Sequence, residues 1–300
     1  MCGNLTISMK KLIPVIILLI IALVVVVILT RSDNNNDELT IVTTFYPPAE
    51  FTSQITKDKF KVINITSDGI EPHDFEQSPQ DIVKIQSADL FIVNGNDFDH
   101  WAEELVEDNK EINSINLSEY ITSELGDDPH FWLDPVYAID LVKTISEKIV
   151  EIDEHNKEFY LENTQKYIGE LNKLDQDFRV GLENCSQRKI VVSHDAFEYL
   201  GDRYDIEIIN ISGITPEEEP SAMKLAEISD KVKEYNIKYI FYETLVSPNL
   251  ANTIAQETGT ETLVLDPIEG LSNVDVQTGE NYLSIMKNNL NNLKLAMNCE

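Results

Sequence analysis

Five histidines are spread through 300 residues, and three of them stand in short contexts suited to fixing an imidazole in space. These are Glu71-Pro72-His73-Asp74, Asp128-Pro129-His130-Phe131-Trp132-Leu133-Asp134-Pro135 and Val192-Ser193-His194-Asp195. Pro72 and Pro129 restrict the backbone directly before two of the rings. The neighbouring acids Asp74, Asp128, Asp134 and Asp195 offer acceptors for the second ring N–H, which would set the tautomer. Asp266, in Leu263-Val264-Leu265-Asp266-Pro267, supplies a carboxylate. Together His73, His130, His194 and Asp266 make three nitrogens and one oxygen, a donor set for a four-coordinate transition metal such as zinc. The four positions are far apart in sequence, so tertiary folding has to assemble them, most simply between two lobes. The other two histidines read as bystanders: His155 exposed at a helix start, His100 packing or capping beside Trp101. Glu243, ending Ile240-Phe241-Tyr242-Glu243, reads equally as an outer partner of a ring, a helix cap or a lobe contact.

The elements that must position these residues alternate. β-rich runs at 39–45, 60–66, 89–93 and 112–117 are separated by helical patterns at 49–56, 79–86, 98–109 and 135–152. The alternation resumes with strands at 189–193, 206–211, 238–243 and 261–265 and helices at 221–235, 249–257 and 281–298. This is the signature of βαβ units around a mostly parallel sheet. Between the halves, residues 153–184 contain no proline and place apolar residues near helical spacing, which predicts a single stiff helix. The expected fold class is therefore α/β: two lobes, each a mostly parallel sheet flanked by helices, joined by one long rigid helix. His194 and Asp266 fall at the carboxyl ends of predicted strands, the edge where ligands collect in open α/β sheets. Facing edges would bring all four residues into the cleft between the lobes.

Residues 12–30 form an apolar run interrupted only by Pro14 and preceded by Lys10-Lys11. As a helix it would span about 28 Å, close to the thickness of a bilayer core. The lysines place the N-terminus inside and the rest outside. No small-residue cleavage site follows, and no cysteine lies just past the run, which favours an uncleaved anchor over a signal peptide. The expected organisation is a cytoplasmic stub at 1–11, an anchor at 12–30, a polar tether at 31–37, a first lobe at 38–152, a connecting helix at 153–185 and a second lobe at 186–300. Cys185 and Cys299 lie on the outer side, where a disulfide could persist, although two unrelated thiols remain the alternative. With 42% hydrophobic residues the chain can bury large cores, and its net charge of −30 excludes nucleic acid as a partner.

These residues reach a recognisable pattern. The chain resembles the metal-binding solute receptors of ABC importers for zinc and manganese, over roughly residues 39–293. The resemblance rests on Ile41-Val42-Thr43-Thr44-Phe45-Tyr46-Pro47, the three histidine segments with Ser78-Pro79, Ala88-Asp89-Leu90-Phe91-Ile92-Val93-Asn94-Gly95, and Leu265-Asp266-Pro267. It implies metal held between the lobes and delivered to a membrane permease with its ATPase. Members usually follow a cleaved signal or a lipidated cysteine, whereas the apolar run here predicts a monomer anchored at the cell membrane with its lobes on the extracellular face, a departure from the family. By motif, His73, His130 and His194 match the family's metal histidines and Asp266 its carboxylate. One departure is the short, histidine-free interval 119–127, where many zinc-type members carry a long His- and acid-rich loop.

Three imidazoles and one carboxylate favour Zn²⁺ over Mn²⁺, which prefers oxygen donors and higher coordination. A manganese receptor is the nearest alternative. A surface zinc hydrolase is a more distant one, because catalytic zinc keeps an open position for water and no H-E-x-x-H motif is present. An adhesion protein is the third.

Overall fold

Two small parallel sheets carry the architecture of this computed structural model, which describes residues 39–216 and 218–300. In the first half, β1 (Thr40–Thr43), β2 (Lys61–Asn64), β3 (Leu90–Val93) and β4 (Ser114–Asn116) pair in the order β2-β1-β3-β4. In the second, β5 (Lys189–Val192), β6 (Glu207–Asn210), β7 (Tyr239–Tyr242) and β8 (Glu261–Val264) pair as β6-β5-β7-β8. Every pairing in both sheets is parallel. The strand order is thus the same in the two halves. In each, the chain leaves the first strand to one side and then crosses to the other. This reversal opens a crevice at the carboxyl ends of β1 and β3, and of β5 and β7. The run Leu-Phe-Ile-Val of β3 is buried throughout, as expected for a strand covered on both faces.

Helices flank both sheets. The first half contributes α1 (Tyr46–Thr56), α2 (Pro79–Gln86), α3 (His100–Asp108) and α4 (Pro135–Ile152). Sequence chemistry sets their starts. Ser78 and Asp81 form a capping box on α2, and Pro135 opens α4 with the Asp134 side chain accepting from the Val136 N–H. A 3₁₀ turn at Glu154–Asn156 then leads into α5 (Lys157–Leu182). Tyr160, Thr164, Tyr167, Leu171, Leu174, Phe178 and Leu182 form one buried stripe along α5, at steps of three and four. That stripe packs against α1 and α4 and also against the last helix, α10 (Tyr282–Ala296). The helix is about 39 Å long and somewhat shorter than expected, because the 3₁₀ turn takes up its predicted beginning.

In the second half, α6 (Glu198–Tyr204), α7 (Ala222–Glu234), α8 (Asn249–Thr258) and α9 (Asn273–Thr278) precede α10. The short α6 and α9 were not expected from the sequence. Each is under two turns, too brief for periodicity to register, and each ends on a left-handed residue, Asp205 and Gly279. Residues Thr40–Glu300 make one compact unit. The stub, anchor and tether expected at 1–11, 12–30 and 31–37 lie outside the described residues.

Cys185 and Cys299 are joined in a disulfide. Around it, Gln187 donates its N–H to Met297 O at 3.0 Å and Glu300 to Asn184 O at 3.2 Å, so the chain's end is stitched to the start of the second half. A closed loop of 114 residues removes unfolded-state entropy worth about 4–5 kcal/mol. Reduction, or Cys185→Ser with Cys299→Ser, should lower the calorimetric unfolding midpoint by roughly 10 °C. An unchanged midpoint would show that the link contributes little to stability.

Candidate metal centre

His73 sits in a 3₁₀ turn, Pro72–Asp74, whose start is capped by Glu71 accepting from the His73 N–H at 3.3 Å. His130 immediately precedes a second 3₁₀ turn, Phe131–Leu133, and its N–H is held by Asp128 Oδ1 at 2.9 Å. His194 lies two residues beyond β5, and Glu243 directly follows β7. The loop leaving β3 completes the wall: Asp99 accepts from Thr44 Oγ1, Asn94 N and Gly95 N, at 2.6, 2.7 and 2.9 Å. Gly95 turns there at φ +86°, where a Cβ would run into the Asn116 side chain. The turn presents Phe98 edge-on to His73, ring centroids 4.6 Å apart.

The structure brings His73, His130 and His194 together and adds Glu269 as the fourth group, where the sequence pointed to Asp266. Asp266 is spent on the loop that carries Glu269. Its Oδ1 accepts from Ile268 N at 2.7 Å, its Oδ2 from Thr244 Oγ1 at 2.8 Å, and its backbone is tied on both sides to Asn289. Ile268 takes a left-handed φ of +56°, a costly conformation for a β-branched residue that this carboxylate bond helps to hold. The result swings Glu269 inward. Burial raises the Asp266 carboxyl to about 7 against the bonds from Thr244 and Ile268. The cue overlooked in the sequence was a lone acid within the otherwise apolar run Pro267-Ile268-Glu269-Gly270-Leu271.

Glu269 Oε1 lies 3.5 Å from His73 Nε2, 3.4 Å from His130 Nε2 and 3.3 Å from His194 Nε2. All four side chains are at most 5% exposed. None of these three nitrogens, nor either oxygen of Glu269, has a hydrogen-bond partner. Two rings have their other nitrogen occupied: His130 Nδ1 faces Asp128 Oδ1 at 2.8 Å and His194 Nδ1 faces Glu243 Oε1 at 2.6 Å. With the Nδ1 proton given to a carboxylate, each Nε2 turns its lone pair toward the centre. Separations of 3.3–3.5 Å are too long for charge-assisted hydrogen bonds. They match the edge of a tetrahedron around zinc, about 3.3–3.4 Å for bonds near 2.0–2.1 Å. The buried, unpartnered donors therefore fit a four-coordinate divalent cation.

Electrostatics point the same way. Burial alone would push the Glu269 carboxyl up, but His194 first, then His130 and His73, outweigh it and hold it well below the usual carboxylate range. Burial would lower His194, yet Glu243 and Glu269 carry it well above the ordinary imidazole value. His130 is likewise raised, its burial outweighed by Asp128 and Glu269. Glu71 is pushed up to about 10, by burial and then by the charge of Glu269.

Asp74, Asp134 and Asp195 do not meet the rings. His155 is exposed as expected. His100 is also on the surface, 3.1 Å from both Asp97 and Glu104, where it neither packs nor caps.

Paired four-stranded α/β lobes with a buried three-histidine, one-carboxylate cluster at their facing edges define a two-lobe metal-binding receptor. The chain belongs to the family described as zinc-uptake complex component A, periplasmic, whose profile matches residues 41–296. It is 39% identical over 272 residues to the high-affinity zinc uptake system protein ZnuA of Bacillus subtilis, covering 84% of this chain and 85% of that one. It is 38% identical to the zinc-binding lipoprotein AdcA of Streptococcus pneumoniae over 84% of this chain but only 54% of AdcA, so it spans about half that relative's length. Among solved structures, the Zn(II)-bound ZnuA-like domain of the same AdcA superposes with a TM-score of 0.78 at 39% identity, covering 87% of this chain and 99% of that domain. The resemblance read from the sequence, and the two lobes with their long connecting helix, are thereby borne out.

Because neighbouring carboxylates raise His130 and His194 above the ordinary imidazole value, protons compete with a cation for these nitrogens. Lower pH favours the protonated, metal-free form. Zinc affinity should therefore fall as pH is lowered, with protons released on binding. Calorimetry in buffers of different ionisation enthalpy checks this, and a pH-independent affinity would contradict it.

Proposed function

We propose that this protein captures Zn²⁺ outside the cell and hands it to the permease of an ABC importer. The observation that carries the reading is the convergence of three unpartnered Nε2 atoms on one oxygen of Glu269, at tetrahedral-edge distances. His73, His130, His194 and Glu269 would hold the ion, with Asp128 and Glu243 behind two of the rings. Nitrogen-rich, four-coordinate geometry favours zinc over manganese. Three neutral imidazoles and one carboxylate leave the bound ion a net charge near +1, which the two outer carboxylates offset.

Four protein donors leave no coordination position for a reacting water, which supports a receptor over a hydrolase. The family relatives named for zinc uptake support the transport role. The apolar segment 12–30 would tether the lobes, as a monomer, to the extracellular face of the membrane.

Metal analysis of the protein purified from unsupplemented medium should find one zinc per chain. Glu269→Gln and His130→Ala should each weaken zinc binding by at least about a hundredfold, whereas Asp266→Asn, acting through the loop, should cost about tenfold. Chelator-competition titrations would check this order. Asp266→Asn proving the more damaging change would restore the carboxylate first read from the sequence.

A further inference from the structure

The segment that carries His130 belongs by chain order to the first lobe, between β4 and α4, yet it is gripped by the second. Tyr199 and Arg203 sit one turn apart on α6 and reach its two ends. The Tyr199 hydroxyl donates to Asp128 O at 3.1 Å, two residues before His130. Arg203 donates from Nε and Nη2 to Asp134 Oδ2, at 2.7 and 2.6 Å, four residues after it. The Asp134 carboxylate is 1% exposed, so this pair is sheltered from solvent. Between these ends, Trp132 Nε1 donates to Pro267 O at 2.8 Å and the Tyr282 hydroxyl donates to Trp132 O at 2.6 Å. None of these contacts involves a ligand atom. They therefore operate whether or not the cargo is bound.

We propose that Arg203, acting through Asp134 and supported by Tyr199, is a positioning residue for zinc: it fixes His130 to the lobe that carries His194 and Glu269. His130 is thereby tied to His194 and Glu269 before the ion arrives, and ordering it is not left to the binding step. This rests on the ligand set proposed above. Removing the grip leaves His130 in place chemically but lets its ring wander, which a site held to a few tenths of an ångström cannot tolerate.

A double-mutant cycle on the purified full-length protein in mild detergent tests it, with zinc affinity read by chelator competition. Arg203→Ala should weaken zinc binding about tenfold in the parent and less than about twofold in a His130→Ala background. Arg203→Lys should recover part of the loss. The d–d bands of the Co²⁺-loaded protein should change in Arg203→Ala but not in Arg179→Ala, whose guanidinium pairs with Asp175 instead. If Arg203→Ala does not fold, Tyr199→Phe removes a bond to the same segment without removing a charge and should show the same dependence on His130. Equal losses in both backgrounds would overturn the proposal while leaving His130 a ligand. A His130→Ala change without effect on zinc would overturn both.

Discussion

Three imidazole nitrogens and a carboxylate oxygen meet in a buried space, and none of them has a hydrogen-bond partner among the described residues. Such a gathering of acceptors is unfavourable by itself, because buried polar atoms without partners lose their hydration and repel one another. The fold holds it in place by surrounding it with larger commitments. Both sheets present their carboxyl edges to it, α5 packs across both halves, and an aromatic wall of Phe45, Phe98 and Trp132 closes one side with centroids 4.6–5.1 Å apart. A divalent cation, or the protons that compete with it, resolves the repulsion. The remaining details of the site follow from that requirement.

Outer residues decide how the requirement is met. Asp128 and Glu243 fix two tautomers and bring negative charge near the ion without touching it. They come from different halves, as do the histidines they serve. Asp266 has a comparable role one step removed, bracing the left-handed Ile268 that directs Glu269 inward.

Much of this was legible in the residues. The central strands were readable because a buried parallel strand such as Leu90–Val93 is apolar at every position, and α5 because its stripe repeats over about six turns. His73 and His130 stood out through Pro72 and Pro129, which fix loops that periodicity cannot describe. Asp266 was singled out rather than Glu269, which the structure places beside the three rings, for the opposite reason. Asp266 sits where a strand visibly ends, so pattern reading drew attention there, whereas Glu269 depends on the unusual dihedral at Ile268, which no local composition announces. Helices α6 and α9 were missed because a turn or two of helix leaves no periodic trace. The grip on His130 was invisible for a further reason: it joins Arg203 to Asp134 across 69 residues.

The chemistry of the sulfur atoms has a consequence for the cargo. Both described cysteines are consumed in the link between Cys185 and Cys299, and every donor around the cluster is nitrogen or oxygen. Thiolates bind zinc tightly but surrender it when oxidised. Imidazole and carboxylate are inert to the oxidants that attack thiols. An ion held by these donors alone would not be released by thiol oxidation.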